Sequence, residues 1–246
     1  MPASTRTSLV LLVAISLSGT CLIACGDKPT PRPPAPATPP SKPAPAPAAT
    51  PDAEKAPTTP AAAPPSTSAA SAWQPVAPPA GGWKVSGQND DPALLEVGGM
   101  KAPRPTTWTW QQPTNQFRTL QYSVPGQGES TGAAELVVSF FQGNDGGPLE
   151  PNITRWVNQF KNADGSPVTP TQSEKVVDGM PVILIELKGT YSGMSGGGPK
   201  PDQLQLGAIV MAPGGRVFLR LIGPVATVEK ERENFMKMID GAKKAS

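Results

Sequence analysis

The side chains available for chemistry are restricted, because the 246-residue chain has no histidine and only two cysteines. Without imidazole, the sequence excludes Ser-His-Asp and Cys-His nucleophile systems, His-rich zinc sites and histidine pH switches. Cys21 and Cys25 both lie in the first 25 residues, which excludes a disulfide framework for the rest of the chain. We therefore expect no metal, no cofactor and no catalytic residue of a recognisable motif, so that the protein is not expected to be an enzyme.

The best candidates for a binding surface are aromatic and cationic: Trp108, Trp110, Arg118, Arg155 and Trp156. Indole rings stack on sugars and peptides, and guanidinium groups donate directed hydrogen bonds, so these five side chains predict a groove for a glycan or a peptide strand. The alternative is that the tryptophans are core residues. Trp156 belongs to a helical apolar pattern with Ile153, Val157 and Phe160, which usually marks a buried face.

Glu186 is the acid that a hydrolase without histidine would use, because it lies in an otherwise apolar run from Val182 to Leu187. A carboxyl group in such surroundings is a candidate for general acid chemistry. The alternative is a structural residue that faces outward and pairs with Arg220 across the sheet, which we favour because structural ion pairs are common.

The first 25 residues contain an export signal. One charged residue, Arg6, precedes the apolar run Leu9–Ile15, which is too short to span a bilayer as a helix. Leu22-Ile23-Ala24-Cys25 then resembles the lipobox of bacterial lipoproteins. The resemblance implies cleavage between Ala24 and Cys25, a diacylglycerol thioether on Cys25 and an acylated amino group, and so a stable membrane anchor. Gly26, in place of the Asp that retains enterobacterial lipoproteins in the inner membrane, favours the outer membrane.

A proline- and alanine-rich segment follows the predicted anchor. Of the 51 residues from Pro29 to Pro79, 18 are proline and 15 are alanine. Such linkers favour extended polyproline II structure, so the segment predicts a disordered tether that reaches at most roughly 160 Å. The predicted organisation is a signal peptide over 1–24, a lipidated cysteine and linker over 25–80, and one globular domain over 81–246.

The charge balance gives no sign of a nucleic acid partner. From Lys84 onward the chain has 16 Lys plus Arg and 16 Asp plus Glu, so the predicted domain is neutral. Nucleic acid binding requires a clustered basic surface, and the sequence contains no such cluster. The expected partners are the membrane, through the lipid, and an envelope protein or a glycan.

The domain itself is predicted to be α+β, with a core over about 104–243. Strands are predicted at 117–124, 134–141 and 182–187, and a hairpin at 204–222 around Pro213-Gly-Gly215. Helices are predicted at 151–162, and after Thr227 as N-cap. The order of strands, helix, strands, helix with short connections predicts an antiparallel sheet of about five to seven strands with two helices packed against it.

The segment Asn152–Phe160 resembles uncharacterised bacterial lipoproteins with a Mog/PsbP-like sandwich, over roughly Trp108 to Ala242. The similarity rests on Asn152, Arg155, Trp156, Gln159 and Phe160. It implies a fold and no activity. Taken together, the sequence predicts a lipid-anchored envelope protein with a binding or accessory role. A carboxylate hydrolase and a passive cell-wall tether are the alternatives.

Overall fold

The computed structural model describes residues 68–126, 132–193 and 197–245. The helices are α1 (Ser68–Ala72), α2 (Leu149–Asn158) and α3 (Val225–Asp240). The strands are β1 (Leu94–Val97), β2 (Met100–Pro103), β3 (Thr109–Gln111), β4 (Leu120–Val124), β5 (Ala134–Gln142), β6 (Phe160–Lys161), β7 (Thr171–Val177), β8 (Met180–Tyr191), β9 (Lys200–Ala212), β10 (Gly215–Pro224) and β11 (Lys243–Lys244). The predicted α+β class is confirmed.

Eight strands form one antiparallel sheet in the order β3-β4-β5-β10-β9-β8-β6, with β7 also paired to β8. Its centre is the predicted hairpin, in which Val217 of β10 lies opposite Val210 of β9 and Phe140 of β5. A smaller sheet, β1-β2-β11, accompanies it. The sequence reading assigned no strands to this smaller sheet, and the main sheet has one strand more than the five to seven expected.

The main sheet separates two apolar cores. Helix α3 packs across β9 and β10 on one face, where alternate residues such as Val210, Val217 and Leu219 are fully buried. Helix α2 covers the other face, where Ile153 and Trp156 pack against the opposite set of strand residues, among them Phe218. Because strand side chains alternate between faces, successive residues of β10 point toward opposite cores. We call these surfaces the α3 face and the α2 face.

Helix boundaries differ slightly from the predicted ones. Helix α2 ends at Asn158, earlier than the predicted Asn162, and Phe160 already belongs to β6. Helix α3 begins at Val225, directly after Pro224, so Thr227 is not its N-cap. Thr227 is instead buried, and its hydroxyl donates a 2.9 Å hydrogen bond to the carbonyl of Gly132.

The described chain packs onto the domain before the predicted boundary at residue 81. Ala70 of α1 is buried in the core of the α2 face, and Trp73 packs against the same core. The indole of Trp73 also lies 5.6 Å from the guanidinium of Arg216, and the amide of Val76 donates a 2.8 Å hydrogen bond to Pro213. Residues 68–76 are therefore part of the folded body.

Candidate functional site

A groove opens on the α2 face, on the part of the sheet that α2 leaves uncovered. Its volume is about 560 Å³. The lining includes these polar residues from strands and connections: Gln111, Arg118, Ser123, Glu135, Tyr191, Lys200 and Gln203. Ser123 and Glu135 lie opposite each other in the β4–β5 ladder and alternate with residues buried in the core of the α3 face, so both lie on the other side of the sheet. We call this surface the polar groove.

A glycine allows one wall of the groove to form. The β8–β9 ladder shifts register between Gly189 and Tyr191. Gly189 has a φ of 153°, and a Cβ atom there would lie 2.4 Å from the carbonyl oxygen of Lys161. Only glycine permits β6 to approach β8 at this point. After the shift, Tyr191 pairs with Lys200 and both side chains line the groove.

Arg118 and Glu135 form the central ion pair of the groove. Nη1 of Arg118 donates a 2.6 Å hydrogen bond to Oε1 of Glu135. The same oxygen accepts a second hydrogen bond of 2.6 Å from Nε2 of buried Gln121. Gln121 is in turn fixed, since its Oε1 accepts a 3.2 Å hydrogen bond from the amide of Thr114. The carboxylate therefore has a set position before any ligand arrives.

Arg220 of β10 lies beside the groove, on the same face of the sheet. Its Nε donates a 2.8 Å hydrogen bond to Oε1 of Gln205, and its Nη2 donates a 2.7 Å hydrogen bond to Oε1 of Gln159. The guanidinium lies 5.2 Å from the centroid of the Trp156 ring. Gln159 caps the C-terminus of α2, where the helix dipole favours a cation.

The charge of Arg220 has no carboxylate partner within 4.0 Å among the residues that the structure describes. Burial lowers the pKa of Arg220. The Tyr191 side chain raises that pKa, whereas the positive charges of Arg155 and Arg118 lower it. Of these three arginines, only Arg118 has a carboxylate partner in the described chain.

Gln205 carries an unused donor. The residue is fully buried, and its Nε2 has no hydrogen-bond partner among the described residues. It lies opposite Ile222 in the ladder and two residues from Gln203, and both of these line the groove. A buried donor without an acceptor costs about 1–3 kcal/mol, a cost that an enclosed water molecule would relieve.

The structure does not bring the three predicted tryptophans together. Trp108 is 1% exposed in the core of the α3 face, and its Nε1 donates a 2.9 Å hydrogen bond to Glu231. Trp110 packs against the same core. Trp156 is 2% exposed in the opposite core. The prediction of an aromatic groove was wrong, because these indoles fill two cores on opposite faces of the sheet.

The two predicted arginines lie nearer to a site. Arg118 lines the polar groove. Arg155 is exposed on α2, where its Nη2 donates a 2.7 Å hydrogen bond to Oδ1 of Asn152. Arg220 was predicted only as a partner of Glu186 and not as a residue of a site, although the alternation of β10 carries the signal. Val217, Leu219 and Leu221 point toward the core of the α3 face. Phe218 and Arg220 alternate with them and therefore lie on the α2 face.

Glu186 does not pair with Arg220, which was the predicted partner. Its two oxygens accept hydrogen bonds of 2.7 and 3.0 Å from Arg232 of α3, on the other face of the sheet. Hydrogen bonds to Glu229 and to Glu186 raise the pKa of Arg232. Both oxygens of Glu186 are thus engaged by a permanent cation, which is the geometry of a structural ion pair.

The described residues contain no group of three or more His, Cys, Asp or Glu side chains placed to hold a metal ion. They also contain no helix with the length and apolarity needed to cross a membrane. The predicted lipid site at Cys25 and the cleavage site after Ala24 lie outside the described residues.

Comparison with known proteins gave structural similarity only. No protein-family model matches the chain, and no curated protein matches it. One similar solved structure is PA94 from Pseudomonas aeruginosa, a protein of unknown function, at 12% identity and a TM-score of 0.37 over 60% of this chain and 92% of that one. Another is the cyanobacterial PsbP of Synechocystis sp. PCC 6803, at 11% identity and a TM-score of 0.42 over 65% of this chain and 98% of that one. Neither similarity carries an argument about a ligand or an activity.

Proposed function

We propose that this protein is a lipid-anchored bacterial envelope protein whose folded body binds a ligand or partner in the polar groove. The observation that carries the proposal is the groove itself. It is an open volume of about 560 Å³ whose ion pair is oriented by the buried side chain of Gln121. A fixed arrangement of polar groups in a concave surface is typical of a binding site.

The anchor is the part of the proposal that rests on sequence. Cys25 is the proposed site of lipid attachment, and the outer membrane is the proposed location. Because the folded body begins by residue 68, the tether between them has about 42 residues. At ~3.1 Å per residue in polyproline II structure, it reaches at most about 130 Å. This length allows the body to be held away from the membrane surface.

The engagement of Glu186 with Arg232 leaves the hydrolase alternative without the acid that it required. A passive tether requires no concave polar site on the body, whereas a binding module does. The polar groove therefore favours the binding module. The proposed role is therefore that of a binding or accessory module.

Site-specific cross-linking of the full chain tests the binding proposal. A photoreactive phenylalanine analogue is placed at Gln203 in the groove, and in a control protein at Val176, an exposed residue of β7. Illumination in intact cells is expected to yield a discrete cross-linked product from position 203 and none from 176. Equal products from both positions, or none from 203, would reject the groove as the binding site.

Replacing the cysteine tests the anchor. Cys25→Ala is expected to abolish lipid attachment, leave the signal uncut and remove the protein from the detergent phase on Triton X-114 partition. Cys21→Ala is the matched control, and it is expected to behave as the unmodified protein. Detergent partition of Cys25→Ala at the level of the control would refute the lipoprotein assignment.

A further inference from the structure

We infer that the polar groove takes an anionic oxygen group of its ligand, a carboxylate or a phosphate, bound at Arg118. This inference rests on the proposed binding function and specifies the chemistry of the ligand. Arg118 lines the groove with a side chain that is 21% exposed, and it therefore remains accessible while paired with Glu135. Guanidinium groups bind carboxylate and phosphate through paired, charge-assisted hydrogen bonds.

The balance of charge at this site favours an anion. Lys200 lines the groove with Arg118, whereas Glu135 supplies the negative charge among the lining residues that the structure describes. Arg220 lies two residues from the lining residue Ile222 on the same face of β10, and it forms no ion pair with a described carboxylate. The groove lining thus has two cations and one anion, with Arg220 beside it, in a domain whose total charges balance. This excess of positive charge favours an anionic ligand.

A buried hydrogen-bond donor without a described partner lies beside the groove. Nε2 of Gln205 is buried without a partner among the described residues, next to the groove-lining pair Gln203 and Ile222. This nitrogen is enclosed, so the direct contacts to a ligand come from the residues that line the groove. Tyr191 and Gln111 supply further polar groups along the groove for the uncharged part of the ligand.

Glu135 competes with the ligand for Arg118. Substitutions of the two residues are therefore expected to change the affinity for an anion in opposite directions. Removing the competitor by Glu135→Gln is expected to strengthen anion binding, whereas Arg118→Gln is expected to weaken it. If the Arg118–Glu135 ion pair had only a structural role, both substitutions would weaken anion binding. Arg232→Gln, the same change on the α3 face, is the matched control and is expected to leave binding unchanged.

The experiment is an NMR titration of the full-length ¹⁵N-labelled protein in detergent micelles. The probes are inorganic phosphate, tri-galacturonate and the uncharged sugar maltotriose, and the readouts are the amide signals of Tyr191 and Gly223. Phosphate, tri-galacturonate or both are expected to shift these signals with saturation, and maltotriose is not. Arg118→Gln is expected to raise the dissociation constant at least tenfold, and Glu135→Gln to lower it.

Each other outcome overturns the inference. If maltotriose gives the same shifts, the groove does not select an anion, and if Arg118→Gln has no effect, the anion does not bind at Arg118. In both cases the proposed function survives. If no probe shifts the groove signals, anion binding is rejected, and the cross-link from position 203 separately decides whether the groove binds anything. Within the expected result, a response to phosphate alone or to tri-galacturonate alone identifies which anionic group the site takes.

Discussion

Gln205 accepts two hydrogen bonds from Arg220 on one side-chain oxygen, at 2.8 Å from Nε and 2.5 Å from Nη2. This pairing of a cation with a neutral amide holds the guanidinium in place without neutralising it. The arginine therefore keeps its full charge beside the polar groove, over the ring of Trp156. A carboxylate at position 205 would have cancelled that charge.

Trp156 is expected to be essential for stability and not for ligand contact. It is 2% exposed and meets Phe218 edge to face at 6.0 Å, and Gly207 leaves the space that its ring occupies. Trp156→Ala should lower the free energy of unfolding by ~3–5 kcal/mol in urea titrations. Phe117→Ala, at a 64% exposed position, is the control and should change it by less than about 0.5 kcal/mol. An unchanged urea midpoint for Trp156→Ala would show that this side chain does not stabilise the core.

Glu231 is expected to stabilise the α3 face through hydrogen bonding. Its Oε2 accepts from Nε1 of Trp108 at 2.9 Å and from Nδ2 of Asn234 at 2.8 Å, and the residue is 7% exposed. Glu231→Leu leaves the buried indole N–H without an acceptor and should cost about 1–3 kcal/mol. Glu231→Gln keeps an acceptor oxygen and should cost less. Equal losses for the two variants would show that the hydrogen bond itself is not what matters.

The acid stability of the protein is expected to depend on Glu96. The hydrogen bond from Lys84 lowers the pKa of buried Glu96 below its ordinary value. A carboxyl group with a lowered pKa stabilises the fold above its unfolded pKa of about 4.3, and this contribution is lost as the pH falls through the folded value. Glu96→Gln should therefore be less stable than the wild type at pH 7, and the difference should shrink below about pH 4. Urea midpoints at pH 7 and pH 3 measure it, and a difference that stays constant would contradict the assignment.

The start of the folded body can be located by truncation. Deleting 25–80 removes α1 and Trp73 from the core of the α2 face, whereas deleting 25–59 retains them. The loss of one large apolar side chain from a core costs about 1.5–3 kcal/mol, so the longer deletion should melt at a clearly lower temperature. Identical melting curves would place the boundary at residue 81, as the composition suggested.

Much of the fold follows from local patterns. The hairpin of β9 and β10 follows from two apolar runs around Pro213-Gly-Gly215, and α2 from the spacing of Ile153 and Trp156. The hairpin of β1 and β2 was missed although Gly98-Gly99 separates two short apolar runs, and both glycines have positive φ, as a tight turn requires. In strands of four residues, the alternation of apolar and polar side chains is too short to be recognised in the sequence.

The site was harder to predict because it depends on which segments share a face. Trp108 and its partner Glu231 are 123 residues apart, and no local pattern connects them. The same holds for Glu186, whose partner Arg232 lies on a helix that crosses the sheet, 46 residues later. Residue type alone identified Arg118 and Arg155. The alternation along β10 assigns Arg220 to a face, but its partners Gln205 and Gln159 could be found only from the structure.

Filling the groove tests the central claim most directly. Ala133 is exposed at the groove lining, so Ala133→Trp places an indole in the binding space without disturbing a core. The measurement is the yield of the cross-link from position 203 in this variant, with melting temperature and detergent partition followed alongside. We predict that the product is lost while melting temperature and partition are unchanged. A product of undiminished yield would contradict the claim that the polar groove is the binding site.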